Sequence, residues 1–135
     1  MEFITDRTEM DVLMGNKKGC YTVEDLNRVE HAVEELAELA GLNVDTKTDW
    51  GEPGLYDCGE WPIDRQMHRY LQNIRGLCAS FLVAHSDMPN SMEHLDWKAA
   101  NAIEEALTET ARRILGMIQI YQYSGEIIAG EEILL

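Results

Sequence analysis

Four histidines, three cysteines and 25 acidic residues are the groups in this chain that could do chemistry. Cys58, His68, Cys78 and His85 are of the types that hold zinc, which takes sulfur and nitrogen donors in a tetrahedron. Their spacing argues against a shared ion. The sequence lacks CxxC, HxxxH and HExxH, and His68 and Cys78 would stand nearly three turns apart, ~15 Å along a helix. A di-iron bundle needs Glu-x-x-His on two helices, and there is none. A cysteine nucleophile needs a neighbouring base and a lowered thiol pKa. Cys78 falls on an apolar stripe, where it reads as a small buried hydrophobe. Cys58 falls in the acidic stretch "YDCGEW", which should raise its pKa. The carboxylate pairs Glu34–Glu35, Glu104–Glu105 and Glu131–Glu132 read as solvated faces or tails, because adjacent helical residues do not point at one substrate. No phosphate-cradling glycine loop or dinucleotide fingerprint is present. The chain is therefore expected to be a non-enzyme, with no catalytic, cofactor-binding or metal-ligating residues and no cofactor.

The elements that would carry these residues are helices. "YTVEDLNRVEHAVEELAELAG" opens on Thr22 with Asp25 three positions on, a capping-box-like start, and closes on Gly41. Val23, Leu26, Val29, Val33, Leu36 and Ala40 recur at steps of three and four. "DRQMHRYLQNIRGLCASFLVAH" places Met67, Tyr70, Leu71, Ile74, Leu77, Cys78, Phe81 and Leu82 on one face, with Arg65, Arg69, Gln72 and Arg75 opposite. Asp64 is its N-cap, and Pro89 forbids continuation beyond "SDMPNS". The third run starts at Asp96 and keeps a stripe through Trp97, Ala100, Ile103, Leu107, Ala111, Ile114, Ile118 and Tyr121. Arg112 and Arg113 fall late in it, on the favourable side of the helix dipole. These readings place long helices at Thr22–Ala40, Asp64–His85 and Trp97–Tyr121.

The remaining segments are shorter or irregular. Residues 1–20 form an N-terminal arm with a strand-like start and a short helix from about Asp6, striped by Met10, Leu13 and Met14. Residues 43–63 form a long loop, in which Val44, Thr46 and Thr48 alternate in a way that suits a short strand. Trp50, Leu55, Tyr56 and Trp61 give that loop side chains with which to pack on the domain. Residues 124–135 form a turn and an apolar tail. The fold class that follows is mainly α: one domain over residues 1–135. It is a bundle of three long helices with a short N-terminal helix, a long loop and room for a small strand pairing near the termini.

Bulk properties narrow the partners. A length of 135 residues suits a single domain with a real core. The net charge of −14 would repel a phosphate backbone or an anionic lipid surface, so neither nucleic acid nor membrane is an expected partner. An odd number of cysteines suits a reducing compartment with the thiols free. "MEFITDRTEM" has neither a basic n-region nor an apolar h-region, so no signal peptide is expected. The apolar tail, with Ile127, Ile128, Ile133, Leu134 and Leu135, should either fold back on the bundle or pair with another chain. Together with Trp50 and Trp61 it makes the candidate partner-binding set.

The order of the segments "YTVEDLNRVE", "KTDW", "QMHRYLQNIRGL", "LDWKAANAIEEAL" and "YSGEIIAGE" resembles a family of small uncharacterised proteins. These are encoded in the tail and baseplate region of prophages from Gram-positive gut bacteria. The likeness runs from about Ile4 to Glu131. It departs after Trp50, where "GEPGLYDCGEWPID" is longer than the family's connection and Ile63 stands where a capping threonine is expected. The resemblance implies a structural or tail-assembly protein working through contacts with other tail subunits, as a homo-oligomer or in a larger complex. It would be made in the cytoplasm of the bacterial host and carried, in one version, into the virion. It implies no enzymatic activity. The alternative is a small acidic cytosolic adaptor or inhibitor that binds a basic protein.

Overall fold

The computed structural model describes residues 1–51 and 64–131, with side chains to residue 120. The chain forms a short helix α1 (Glu9–Leu13), a 3-10 turn (Lys17–Gly19), and three long helices. These are α2 (Val23–Ala40), α3 (Arg65–Ser80) and α4 (Trp97–Glu131). No strand occurs among the described residues. The bundle expected from the three stripes is therefore present, whereas the strand pairing expected near the termini does not occur among the described residues.

Each long helix is bounded where local chemistry dictates. At the start of α2 the Thr22 backbone N–H donates to the Asp25 carboxylate at 2.8 Å. At its end Gly41 takes a left-handed φ of 73° and Leu42 N–H returns to the Ala37 carbonyl at 2.8 Å. Asp64 caps α3 by accepting from the Gln66 and Met67 amides. The apolar faces then meet. Leu26, Val29, Val33 and Leu36 of α2, Tyr70, Leu71, Ile74 and Leu77 of α3, and Ile103, Leu107 and Ile114 of α4 form one core, closed at its edges by Met88 and Met92.

Three boundaries differ from expectation. First, α3 ends at Ser80 and not at His85, well before Pro89. Leu82 adopts a left-handed φ of 57°, and Val83 N–H returns to the Cys78 carbonyl at 2.9 Å. Arg113 of α4 donates to the Phe81 and Leu82 carbonyls at 2.6 and 2.7 Å, holding this unusual cap in place. Second, α1 begins after Thr8, whose hydroxyl accepts from Asp11 N–H in a full capping box, and not at Asp6. Its stripe does not enter the core: Met10, Leu13 and Met14 are all exposed. Third, α4 does not stop near Tyr121 but continues to Glu131. The segment read as a turn and tail from Ser124 is helical backbone as far as it is described. Arg112 and Arg113 are therefore mid-helix, and the C-terminal carbonyls that Arg113 serves belong to α3.

The strand expected around Val44–Thr48 is absent because its backbone groups bond to side chains. Asp45 C=O accepts from Arg69 at 2.6 Å and from Asn73 at 2.7 Å. Lys47 N–H donates to Glu30 at 3.0 Å, and Trp50 exchanges both backbone bonds with the Asn27 side chain.

Candidate functional site

The most concentrated polar chemistry lies inside the bundle. Glu104 on α4 is fully buried, with Arg7 beside it 2% exposed. One Arg7 Nη donates to Glu104 Oε2 at 2.6 Å and the other to the Ile4 carbonyl at 2.8 Å. Arg28 of α2 binds both Glu104 oxygens and reaches Asp25 at 2.8 Å. The Ile4 amide donates to Glu104 at 3.0 Å, and the Asn101 side chain exchanges two bonds with the Arg7 backbone. The N-terminal arm is thus strapped across α2 and α4 by charge. Arg7 Nε is buried with no hydrogen-bond partner among the described residues, but the guanidinium lies 5.3 Å from the Tyr21 ring centroid, where the ring face supports its charge.

A second cluster is centred on Glu30 of α2, only 1% exposed. Its two oxygens take a bidentate pair from Arg69 at 2.9 and 2.8 Å. The Trp50 indole N–H adds a bond at 2.8 Å. Between the clusters the Tyr21 and Tyr70 hydroxyls are hydrogen-bonded to each other. Burial is the first cause raising the pKa of both phenols, so both stay neutral well above the usual tyrosine range. Burial opposes charge on Arg28, but its bonds to Glu104 and Asp25 outweigh this and raise its pKa. The Glu30 carboxylate likewise raises that of Arg69. Every oxygen of Glu104 and Glu30 is occupied by a guanidinium, an amide or an indole. The arrangement suits holding elements together.

Several sequence readings are corrected by this geometry. Glu104–Glu105 is not a solvated pair: Glu104 is buried while Glu105 is exposed. Trp50 is 5% exposed and bonded to Glu30, so it is core and not on a partner-binding surface. Arg69 is not a free solvent-facing cation. Cys20 is disulfide-bonded, contrary to the expectation of free thiols throughout; an odd count still permits one pair. Cys78 is a free, buried thiol with its pKa raised by desolvation, and Thr110 Oγ1 lies 3.5 Å from its sulfur. Cys58, Trp61, Ile133, Leu134 and Leu135 lie outside the described residues. Ile127 and Ile128 are on the backbone of α4.

Among the described residues, no group of three or more His, Cys, Asp or Glu is placed to hold a metal ion. A shallow groove of about 260 Å³ lies where the α3–α4 connection meets α4, with His85, Asp87, Glu105, Glu109 and Arg113 on its wall. Three of these groups, His85, Glu109 and Arg113, are engaged locally. His85 Nδ1 is 3.0 Å from the Val83 carbonyl, and Arg113 caps α3. No described helix is long and apolar enough to cross a membrane.

The other feature with functional content is exposed apolar surface. On α1, Met10, Leu13 and Met14 are exposed by 60–74%. On α4, full burial ends at Ile114; Ile118 is partly buried against the core, and Leu115, Met117 and Ile120 are exposed by 45%, 50% and 67%. The buried charges went unseen in the sequence, although Glu30 and Glu104 interrupt apolar stripes at helical spacing, a pattern that marks a carboxylate facing a core. Compared with protein-family models, curated proteins and solved structures, the chain matches none of them.

Proposed function

We propose that this chain is a non-enzymatic structural or assembly protein of a phage or prophage tail, acting through contacts with other protein subunits. The observation that carries the reading is the apolar surface that Leu115, Met117 and Ile120 expose on α4, past the last fully buried residue, Ile114. Surface of this kind on a helix is characteristic of a protein-binding element. The resemblance of the ordered segments from Ile4 to Glu131 to prophage tail-region proteins supplies the setting. The disulfide at Cys20 suits a particle released into an oxidising medium, since such bonds persist at virion surfaces and are rare in the cytosol. Assembly in the host cytoplasm would precede its formation.

A second reading is favoured by α2. Its exposed side carries Glu24, Glu34, Glu35 and Glu38, an acidic strip suited to a basic protein partner. The two readings part on one measurement. Mass spectrometry of particles purified after prophage induction should find peptides of this chain in the particle or its tail intermediates. Absence from both, with recovery of a basic host protein on the immobilised chain, would replace the structural reading with the adaptor.

A further inference from the structure

The N-terminal arm carries a small, well-bonded unit that buries none of its own residues. Helix α1 is capped by the Thr8–Asp11 box and packs mainly on the 3-10 turn that follows it. The Asn16 side chain ties the two together, donating to Asp11 at 2.9 Å and accepting from Gly19 N–H at 3.1 Å. Position 19 has room only for glycine: a Cβ there would stand 2.6 Å from the Asp11 carbonyl and the Val12 nitrogen. Cys20, which closes the turn, is disulfide-bonded. These contacts do not serve the core. They hold Met10, Leu13 and Met14 out in solvent as an apolar knob. Charge flanks the knob by sign. Glu9 stands at its start, and Lys17 and Lys18 follow its end, held only by exposed pairs with Glu24 and Asp6.

We propose that this knob docks in the α3–α4 groove of a second copy of the chain. The groove is its opposite in shape and in sign. Met88, Ala102 and Ala106 give it apolar lining, and Asp87 and Glu105 are exposed carboxylates on its wall. Arg113 is also on the wall, ~12 Å from Glu105 along the α4 axis. Seated with α1 antiparallel to α4, the knob sets Lys17 and Lys18 toward Glu105 and Glu9 toward Arg113. Two copies of net charge −14 repel unless opposite charges meet locally, and this seating supplies that at both ends. The contact is head-to-tail. The arm lies along the side of α4 that carries Asn101 and Glu104, whereas Ala102 and Glu105 line the groove ~100° further round the helix. Each copy therefore offers its knob and its groove on different sides, which builds a ring or a filament and not a closed dimer. The contact rests on the structural reading above and deepens it by naming one subunit that the chain meets.

Sedimentation velocity of the full chain from about 1 to about 100 µM tests it. Species larger than a dimer are expected to grow in across that range. Leu13→Glu on the knob and Ala102→Glu in the groove should each weaken association at least about tenfold. Leu13 is exposed and Ala102 half-buried, so circular dichroism checks that each variant folds. Glu105→Lys, at an exposed site, replaces Ala102→Glu if the latter does not fold. Mixed in equal amounts, the knob variant and the groove variant should form a dimer and stop there, each supplying the half that the other lacks. Lys17→Glu should also weaken assembly, and adding Glu105→Lys to the same chain should restore it. A monomer throughout, indifference to the knob or the groove substitution, or a mixture that stays monomeric overturns the proposal. Failure of the charge exchange to rescue overturns the antiparallel seating. A monomeric chain found in purified particles would sink this contact while leaving the structural reading standing, and assembly of a chain missing from particles would do the reverse.

Discussion

The two halves of α4 invert the usual relation between residue type and burial. In the half up to Ile114 a glutamate, a threonine and an asparagine are buried at 0%, 0% and 8% exposure, while beyond it Ile120 is 67% exposed. Both halves have helical backbone and apolar residues at regular intervals. The first half has α2, α3 and the N-terminal arm around it, whereas in the second Ile118 is only partly buried against the core and Leu115, Met117 and Ile120 are exposed. Burial is thus decided by neighbours and not by residue type. A carboxylate can be placed in a core when three donors from different elements reach it. An isoleucine stays wet when no element does.

The comparison breaks most severely at Glu104. Glu104→Ala would take from the buried Arg7 its closest carboxylate, leave the partly buried Arg28 with Asp25 alone and release the Ile4 amide. Losing one partner of a buried pair costs about 3–5 kcal/mol, so a large fall in urea midpoint is expected. The N-terminal arm should also become accessible to protease. A loss below ~1 kcal/mol, with the arm still protected, would mean that Arg7 is held by Asn101 and Tyr21 and that the carboxylate is dispensable.

Ile114 marks the edge of the covered half. Ile114→Ala removes a side chain only 2% exposed and should cost about 2–5 kcal/mol, as for other aliphatic truncations in a packed core. A change within ~0.5 kcal/mol would show that α4 leaves the core earlier than its burial indicates.

The tyrosine pair sharpens the same contrast through pH. Tyr21 and Tyr70 are neutral in the fold, and burial raises both pKa values, whereas the unfolded chain ionises its phenols near pH 10. A raised folded-state pKa stabilises fully below the unfolded value, and that contribution is lost as pH rises above it. Melting temperature should therefore fall steadily above about pH 10. The double variant Tyr21→Phe, Tyr70→Phe removes both hydroxyls together, which avoids stranding one of them, and should show a flatter alkaline decline. Equal slopes in the two proteins would place the alkaline instability elsewhere.

Much of this architecture was legible in the sequence; the start of α1 was missed although its Thr8–Asp11 capping box is local, and the failures inside the bundle share one cause. Thr22, Gly41 and Asp64 set helix ends by local hydrogen bonds, so their types alone located the boundaries. The apolar stripes named Leu26, Ile74, Leu107 and Ile114 correctly, because helical periodicity is a property of one segment. What was missed depends on distant segments meeting. Glu104 is buried only because Arg7 and Arg28 reach it across separations of 97 and 76 residues. The end of α3 at Ser80 depends on Arg113, and the loss of a strand near Thr46 depends on Arg69 and Asn73. The loop reading gave Trp50 a side chain to pack on the domain, as it does, but also left it in the candidate partner-binding set, for the same reason. An aromatic residue in a loop carries no mark of the Glu30 carboxylate that receives its indole.

The smallest expected effect lies at the far end of the comparison. Ile120→Gln exchanges an exposed apolar side chain for a polar one of similar size and better helix propensity. At concentrations where the chain is dilute, it should change unfolding free energy by no more than ~0.5 kcal/mol, because the residue is 67% exposed. The contrast with Ile114, less than two turns away on the same helix, is then almost the whole value of an isoleucine in a core. The measurement is equilibrium urea denaturation of both variants beside the parent chain, followed by helical ellipticity. If Ile120→Gln instead costs as much as Ile114→Ala under dilute conditions, the end of α4 folds back on its own bundle. The two halves of the helix would then be equivalent in solution.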